Sequence, residues 1–368
     1  MINFELDQEQ QLIRDTVVSF ARDEIRPHAR EADEKGLIPS ALIQKGWELG
    51  LVQSIIPEEF GGFGNGHSAI SGAVVAEELA YGDLSIAMHL LAPRLVTVPV
   101  LEFGSDALKR SVLPRFCGDR FEPASAAVME PRMDFDALTP TTSLKRDGDD
   151  YTLNGEKCLV PLGNEARQFL VIAGLSNGTG ASHPQAVLID RETPGLTIGD
   201  RERNMGLKAL ATTRLVFDGC KVPREQLLGG GDGAIARLAN LWRVAQSAMA
   251  VGVARAAFDY ARDYAKDRRA FGQVIAQKQA IAFMLADMAM EVDAMRLLTW
   301  EAAWKLDRNE DATREAHLAK RYAAEMALKI TDNALQVLGG HGYIRDHLVE
   351  LFLRNARSFA MLEGFAIA

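Results

Sequence analysis

The chain has 368 residues, 48% hydrophobic and 25% charged, the balance of a folded globular protein with two or three domains or one large subunit. Its 41 Lys and Arg against 50 Asp and Glu leave a net charge of −9 with no basic cluster, which argues against a general binder of nucleic acid or anionic membrane. Cys117, Cys158 and Cys220 form no Cys-x-x-Cys pair and the seven histidines show no i, i+4 pairing, so no disulfide framework and no metal site are expected, and a reducing cytoplasm is.

Met1 to Glu5 lack the charged-then-apolar pattern of a secretory signal, and no apolar run approaches the length of a membrane span. Residues 1–123 read as a helical domain. Asp7 is placed to cap an amphipathic helix with Leu12, Ile13, Val17, Phe20 and Ala21 on one face. A turn-rich loop, Pro57-Glu58-Glu59-Phe60-Gly61-Gly62-Phe63-Gly64, precedes helical patterns over 68–81, 84–103 and 106–117.

Residues 124–232 change texture. Turn dipeptides recur at Asp147-Gly148, Asn154-Gly155, Asn177-Gly178, Pro194-Gly195 and Asp218-Gly219. Short apolar runs lie between them, including Phe169-Leu170-Val171-Ile172-Ala173 and Leu215-Val216-Phe217. This predicts a small β-domain, a sandwich or barrel, and no strand-helix alternation supports a doubly wound nucleotide fold.

Residues 233–368 read as a C-terminal four-helix bundle, with helices over 272–307, 311–338 and 346–361. The stripe Ile281, Met284, Leu285, Met288, Val292, Met295 reads as bundle core. The Gly229 to Gly233 run lacks a Gly-Lys-Ser/Thr ending and reads as a hinge. The fold class is therefore mainly α with a central β-domain. Glu363-Gly364 falls on what reads as the last turn of a helix, among Met361, Leu362, Phe365 and Ile367. A carboxylate in apolar company is a candidate general base; a solvated side chain on a frayed end is the plainer alternative.

Strings at the joints carry a resemblance. Tyr264 to Gly272, Gln279, Leu285-Ala286-Asp287-Met288, and Gln336-Val337-Leu338-Gly339-Gly340-His341-Gly342-Tyr343 followed by Glu350 and Arg354 are similar to signatures of the acyl-CoA dehydrogenase family. Pro57 to Gly64, Glu77-Glu78-Leu79-Ala80, Met205-Gly206 and Val222-Pro223 fall in register with it, so the likeness spans the whole chain. The resemblance implies FAD bound at a subunit interface and oxidation of an acyl-CoA thioester to 2-enoyl-CoA. Glu363 would be the base, with Arg243 and Gly364 on the substrate side. That chemistry needs a base for the C2 proton, donors for the thioester carbonyl, and a flavin for the C3 hydride, which no side chain can accept. The family's other position for the base, directly before an arginine, is Trp242 here, and an indole cannot take the proton.

The resemblance further implies an adenosine-side FAD half-site of Arg268, Phe271, Gln279, Gln336, Gly339 and Gly340, all in place. The β-domain half departs from the family. Its Thr-Glu-Pro-x-Ala-Gly-Ser-Asp loop reads Met129-Glu130-Pro131-Arg132-Met133-Asp134-Phe135-Asp136, so Met129 stands at the flavin edge without a hydroxyl. Its Trp-x-Thr reads Leu159-Val160-Pro161, and Phe365 replaces a threonine after Glu363-Gly364. The implied partners are an acyl-CoA, an electron-transferring flavoprotein, and sister subunits in a homotetramer or a heterotetramer. Three readings follow: an active dehydrogenase, a half-site subunit of a heteromeric one, or altered chemistry on a CoA thioester.

Overall fold

The computed structural model describes residues 5–176 and 182–368; Met1–Phe4 and the turn expected at Asn177-Gly178 lie outside them. Helix α1 (Gln8–Phe20) starts on a complete capping box. The Asp7 carboxylate accepts the Gln10 N–H at 2.8 Å, and the Gln10 side chain accepts the Asp7 N–H at 3.1 Å. Val17 and Phe20 are buried, but Leu12, expected on the same face, is 69% exposed, because the first turns of α1 border a cavity and not the core. Next come α2 (Arg26–Lys35), α3 (Ser40–Glu48) and α4 (Ala69–Gly82). The helix expected over 84–103 is two, α5 (Leu84–Leu91) and α6 (Arg94–Phe103), since Pro93 cannot continue the hydrogen-bond ladder. This pair is long and apolar enough to suit a bilayer by composition, yet it bends by 41° and is largely buried. No single helix among the described residues is long and apolar enough to cross a membrane. Helix α7 (Asp106–Val112) ends the helical region.

Among the described residues seven strands follow: β1 (Ala124–Ala127), β2 (Ser143–Asp147), β3 (Asp150–Pro161), β4 (Gln168–Ser176), β5 (Ser182–Asp190), β6 (Leu196–Arg201) and β7 (Thr212–Val222). They form one mixed sheet, in which β1 and β2 run parallel to β4 and the other pairs are antiparallel. Two expected turns are not turns. Asn154-Gly155 lies inside β3 and Asp218-Gly219 inside β7, where they face each other across a register shift. Leu153 pairs with Cys220 and Gly155 with Phe217, so β7 carries one extra residue, a bulge, and the Asn154 side chain accepts the Gly219 N–H at 2.8 Å. Gly155 sits at φ 140°, with no room for a Cβ beside Thr142.

Helix α8 (Gly231–Asp267) runs through the middle of the molecule. It is rich in Ala and Gly because its neighbours come close: a Cβ at Gly252 would lie 2.2 Å from the Glu77 carbonyl of α4. A hairpin, β8 (Arg269–Ala270) and β9 (Gln273–Val274), replaces the helical start expected at 272. Helices α9 (Gln279–Asp307), α10 (Thr313–Leu338), the single turn α11 (Gly340–Tyr343) and the short α12 (Val349–Ala356) complete the bundle. Of the methionine stripe, Met288, Val292 and Met295 are buried and the earlier members pack at its edge.

Glu350 and Arg354 bind the bundle to the rest. Arg354 pairs with the buried Asp33 of α2 at 2.8 Å and with Glu350 at 2.7 Å. The Asn355 side chain accepts the Leu207 N–H at 2.8 Å, and Gly206 lets that β-domain loop press on α12, since a Cβ there would meet the Arg354 carbonyl at 2.3 Å.

Candidate active site

Glu363 does not end a helix. After α12 a single 3₁₀ turn, Arg357–Ala360, stops, and Glu363 stands in the loop beyond it. Gly364 fixes that loop with φ 72° and backbone packed on Val128, just past β1; a Cβ would sit 2.4 Å from the valine methyl. Glu363 is thereby held at the joint of β-domain and bundle, beside the residue that precedes Met129. Leu362 and Phe365 are buried as expected, while Met361 is 61% exposed and does not shield the carboxylate.

Two cations meet the carboxylate. Lys320 of α10 donates to Glu363 Oε1 at 2.5 Å and to the Leu362 carbonyl at 2.7 Å. Arg243 of α8 holds its Nε 4.0 Å from the same oxygen. Burial lowers the pKa of the Lys320 ammonium, and the Glu363 charge works against that. The Glu363 N–H meets no backbone acceptor among the described residues. Trp242, one residue before Arg243, is fully buried in α8. Beyond Gly364 the chain turns inward. Phe365 to Ala368 are buried, the Ala368 N–H donates to Leu241 O at 3.3 Å, and His67 bonds the Ala368 carbonyl. Lys320 escaped sequence reading; the only signal was a cation on the small-residue face of α10, with Ala316, Ala319 and Ala323.

The adenosine-side residues are only partly gathered. Arg268, Gly339 and Gly340 line one cleft of about 350 Å³ with Tyr264 and His341, whose side chains share a 2.8 Å hydrogen bond. Arg268 is exposed at the end of α8. Gly339 takes φ 57° and ψ −131°, a region for glycine, and a Cβ on Gly339 or Gly340 would meet nothing, so the backbone lies open. Gln336 contributes its carbonyl, which accepts the Gly339 N–H at 3.0 Å. Phe271, 96% exposed, and Gln279 stand outside the cleft lining. A guanidinium with no ion pair among the described residues, beside open backbone, suits a pyrophosphate, so this half fits FAD.

The β-domain half fits poorly. Met129 and Leu159 offer no polar side-chain atom for a flavin ring and Pro161 no N–H. Leu159 sits on a second bulge at φ 52°, and its N–H already donates to the Glu202 carboxylate at 3.2 Å. The Cys158 N–H is spent on the Met129 carbonyl at 3.0 Å. Glu130 instead anchors the loop. It accepts from the N–H groups of Thr141 and Thr142 and from the fully buried Lys157 at 2.9 Å. Burial alone would raise its pKa, but the Lys157 charge and those N–H groups prevail and hold its carboxyl at about 2.

Models of the N-terminal, middle and C-terminal domains of acyl-CoA dehydrogenases match residues 7–119, 125–220 and 229–366. The chain belongs to the acyl-CoA dehydrogenase family. It is 38% identical to YngJ, a probable acyl-CoA dehydrogenase of Bacillus subtilis strain 168, over 99% of this chain and 96% of that one. The structure of butyryl-CoA dehydrogenase from Megasphaera elsdenii superposes with a TM-score of 0.90 at 32% identity, covering 99% of this chain and 96% of the other. A FAD complex of PigA does so with a TM-score of 0.90 at 25% identity, with the same coverage. Members of the family are flavin oxidoreductases, and their cofactor is FAD.

Proposed function

We propose that the chain is a FAD-dependent acyl-CoA dehydrogenase that oxidises an acyl-CoA thioester to 2-enoyl-CoA, with Glu363 as the base for the C2 proton. The placement of Glu363 carries the reading: a mostly buried carboxylate on a loop fixed by Gly364, at the joint where β-domain and bundle meet. In this reading Glu363 Oε1 leaves Lys320 and takes the C2 proton, while Lys320 stays on the Leu362 carbonyl and steadies the loop. The Glu363 N–H, without a backbone acceptor, donates to the thioester carbonyl as enolate charge develops. FAD, when bound, accepts the C3 hydride. Arg243 holds the carboxylate on its α8 side, and Arg268, Gly339 and Gly340 receive the pyrophosphate end of a cofactor. An acyl-CoA, an electron-transferring flavoprotein and sister subunits are the partners this reading requires, and fatty acid metabolism is its setting. In flavin-loaded protein, Glu363→Gln should slow acyl-CoA-dependent flavin bleaching by about 10²–10⁴-fold. Bleaching at the unaltered rate would remove Glu363 from the mechanism.

A second reading has its own support. The Leu159 N–H is engaged by Glu202 and Pro161 has none, so these two backbone positions do not replace the missing flavin contacts. A subunit built this way completes the FAD site of a homologous partner through Arg268, Gly339 and Gly340 and holds none on its own β-domain. Flavin content of the purified chain separates the two. One flavin per chain sinks the half-site reading; a colourless chain that gains flavin only with a co-expressed homologue sinks the homomeric one.

A further inference from the structure

Away from Glu363, a buried cation at the start of α6 has no counter-charge among the described residues. Arg94 opens α6 and is 3% exposed. Its Nε and Nη1 are buried without a hydrogen-bond partner, and it makes no ion pair among the described residues. Burial alone pushes its pKa down to about 10, with no neighbouring charge acting on it. A buried, unpaired guanidinium is costly to fold around, so it needs either a partner or a purpose.

Arg94 lines a cavity of about 600 Å³ between α1, the 49–68 loop and α4. Ile13, Val17, Ile55 and Val75 line it with apolar surface, and the exposed Leu12 and Phe63 border it. Asp7 and Glu9 also border it, but Asp7 is committed to capping α1 and neither pairs with Arg94. We propose that this cavity binds an aliphatic monocarboxylate, whose carboxylate pairs with Arg94 and whose chain lies on the apolar walls. A guanidinium N–H gives a carboxylate a charge-assisted hydrogen bond, and a chain leaving water for those walls adds to the affinity with each methylene. None of the residues at Glu363 lines this cavity, so the site is separate from the proposed active site.

Hexanoate is the probe, titrated calorimetrically into the full-length protein with hexan-1-ol as its uncharged counterpart. The wild type should bind hexanoate at least about tenfold more tightly than hexan-1-ol, and Arg94→Met should lose at least about tenfold in hexanoate affinity. Arg94→Met without ligand should melt no lower than the wild type, because it removes an unpaired buried charge at similar volume. Ile13→Trp narrows the cavity from α1 without touching Arg94, and should weaken hexanoate as well. Saturating acyl-CoA should leave hexanoate binding unchanged. No binding to the wild type, equal binding of hexan-1-ol, retained affinity in Arg94→Met or Ile13→Trp, a large melting loss in Arg94→Met, or displacement by acyl-CoA would each overturn the proposal.

Discussion

Lys320 reaches two acceptors that are adjacent in the chain, the Leu362 carbonyl and the Glu363 carboxylate, so one ammonium sets both the loop and the side chain it presents. Lys320→Met keeps the volume and removes both bonds. It should cost about 1–3 kcal/mol of stability, because a mostly buried carbonyl and carboxylate lose their donor. The double variant with Glu363→Gln should lose less than the sum of the two single losses, since the pair is then broken once. Melting midpoints that add without coupling would refute the pair. Sequence reading singled out Glu363 and Arg268 as candidates because family strings surround them. It missed Lys320, because nothing in an alanine-rich helix says that its cation pairs 43 residues further on. Met361 is exposed for the same reason: in a loop, neighbours in sequence need not be neighbours in space.

Helices were legible where a cap or a periodic face marked them, as at Asp7 and along α9, and the break at Pro93 shows where a run of apolar residues misleads. The β-domain was legible as a class but not in its register. Asn154-Gly155 and Asp218-Gly219 report only that the backbone wants an unusual φ; a turn and a bulge both satisfy that, and pairing decides between them. The two glycines should therefore respond differently. Gly155 holds φ 140°, and a Cβ would press to 2.7 Å on Thr142 Cα, whose N–H serves Glu130. Gly155→Val should cost about 2–4 kcal/mol, from strain and from disturbing that carboxylate. Gly219, at φ 64° with open space around it, should accept Asn for under about 1 kcal/mol. Equal losses on denaturant titration would mean that the bulge does not carry the constraint.

The three-part organisation was readable from composition, since each part has its own periodicity. The buried polar groups that tie the parts together were not, because a polar residue in a sequence carries no mark of burial. Two further buried groups, both within the N-terminal part, contribute to the pH dependence of the molecule. His89 of α5 is buried, stacked on Phe121 at 5.3 Å, with Nε2 unpartnered, and burial pushes its pKa down to about 4. Between that value and its ordinary 6.5 the unfolded chain binds a proton that the folded one refuses, so stability falls as pH drops through this window. Fully expressed, that is about 3 kcal/mol. Asp83, the buried cap of α5, acts in the opposite sense. Burial, offset in part by the Ile86 N–H and Arg26, raises it to about 6, so it favours the folded state below its ordinary 3.8 and loses that contribution as pH rises through about 6. Between pH 6 and 4 the two oppose each other, and the net slope is shallow. His89→Leu should remove the acid loss, so that its melting midpoint holds or rises from pH 7 to pH 5. Asp83→Asn keeps a cap acceptor but removes the compensation, so its midpoint should fall more steeply over that range than the wild type. Parallel melting curves for all three proteins between pH 7 and pH 5 would show that neither group titrates as its burial requires.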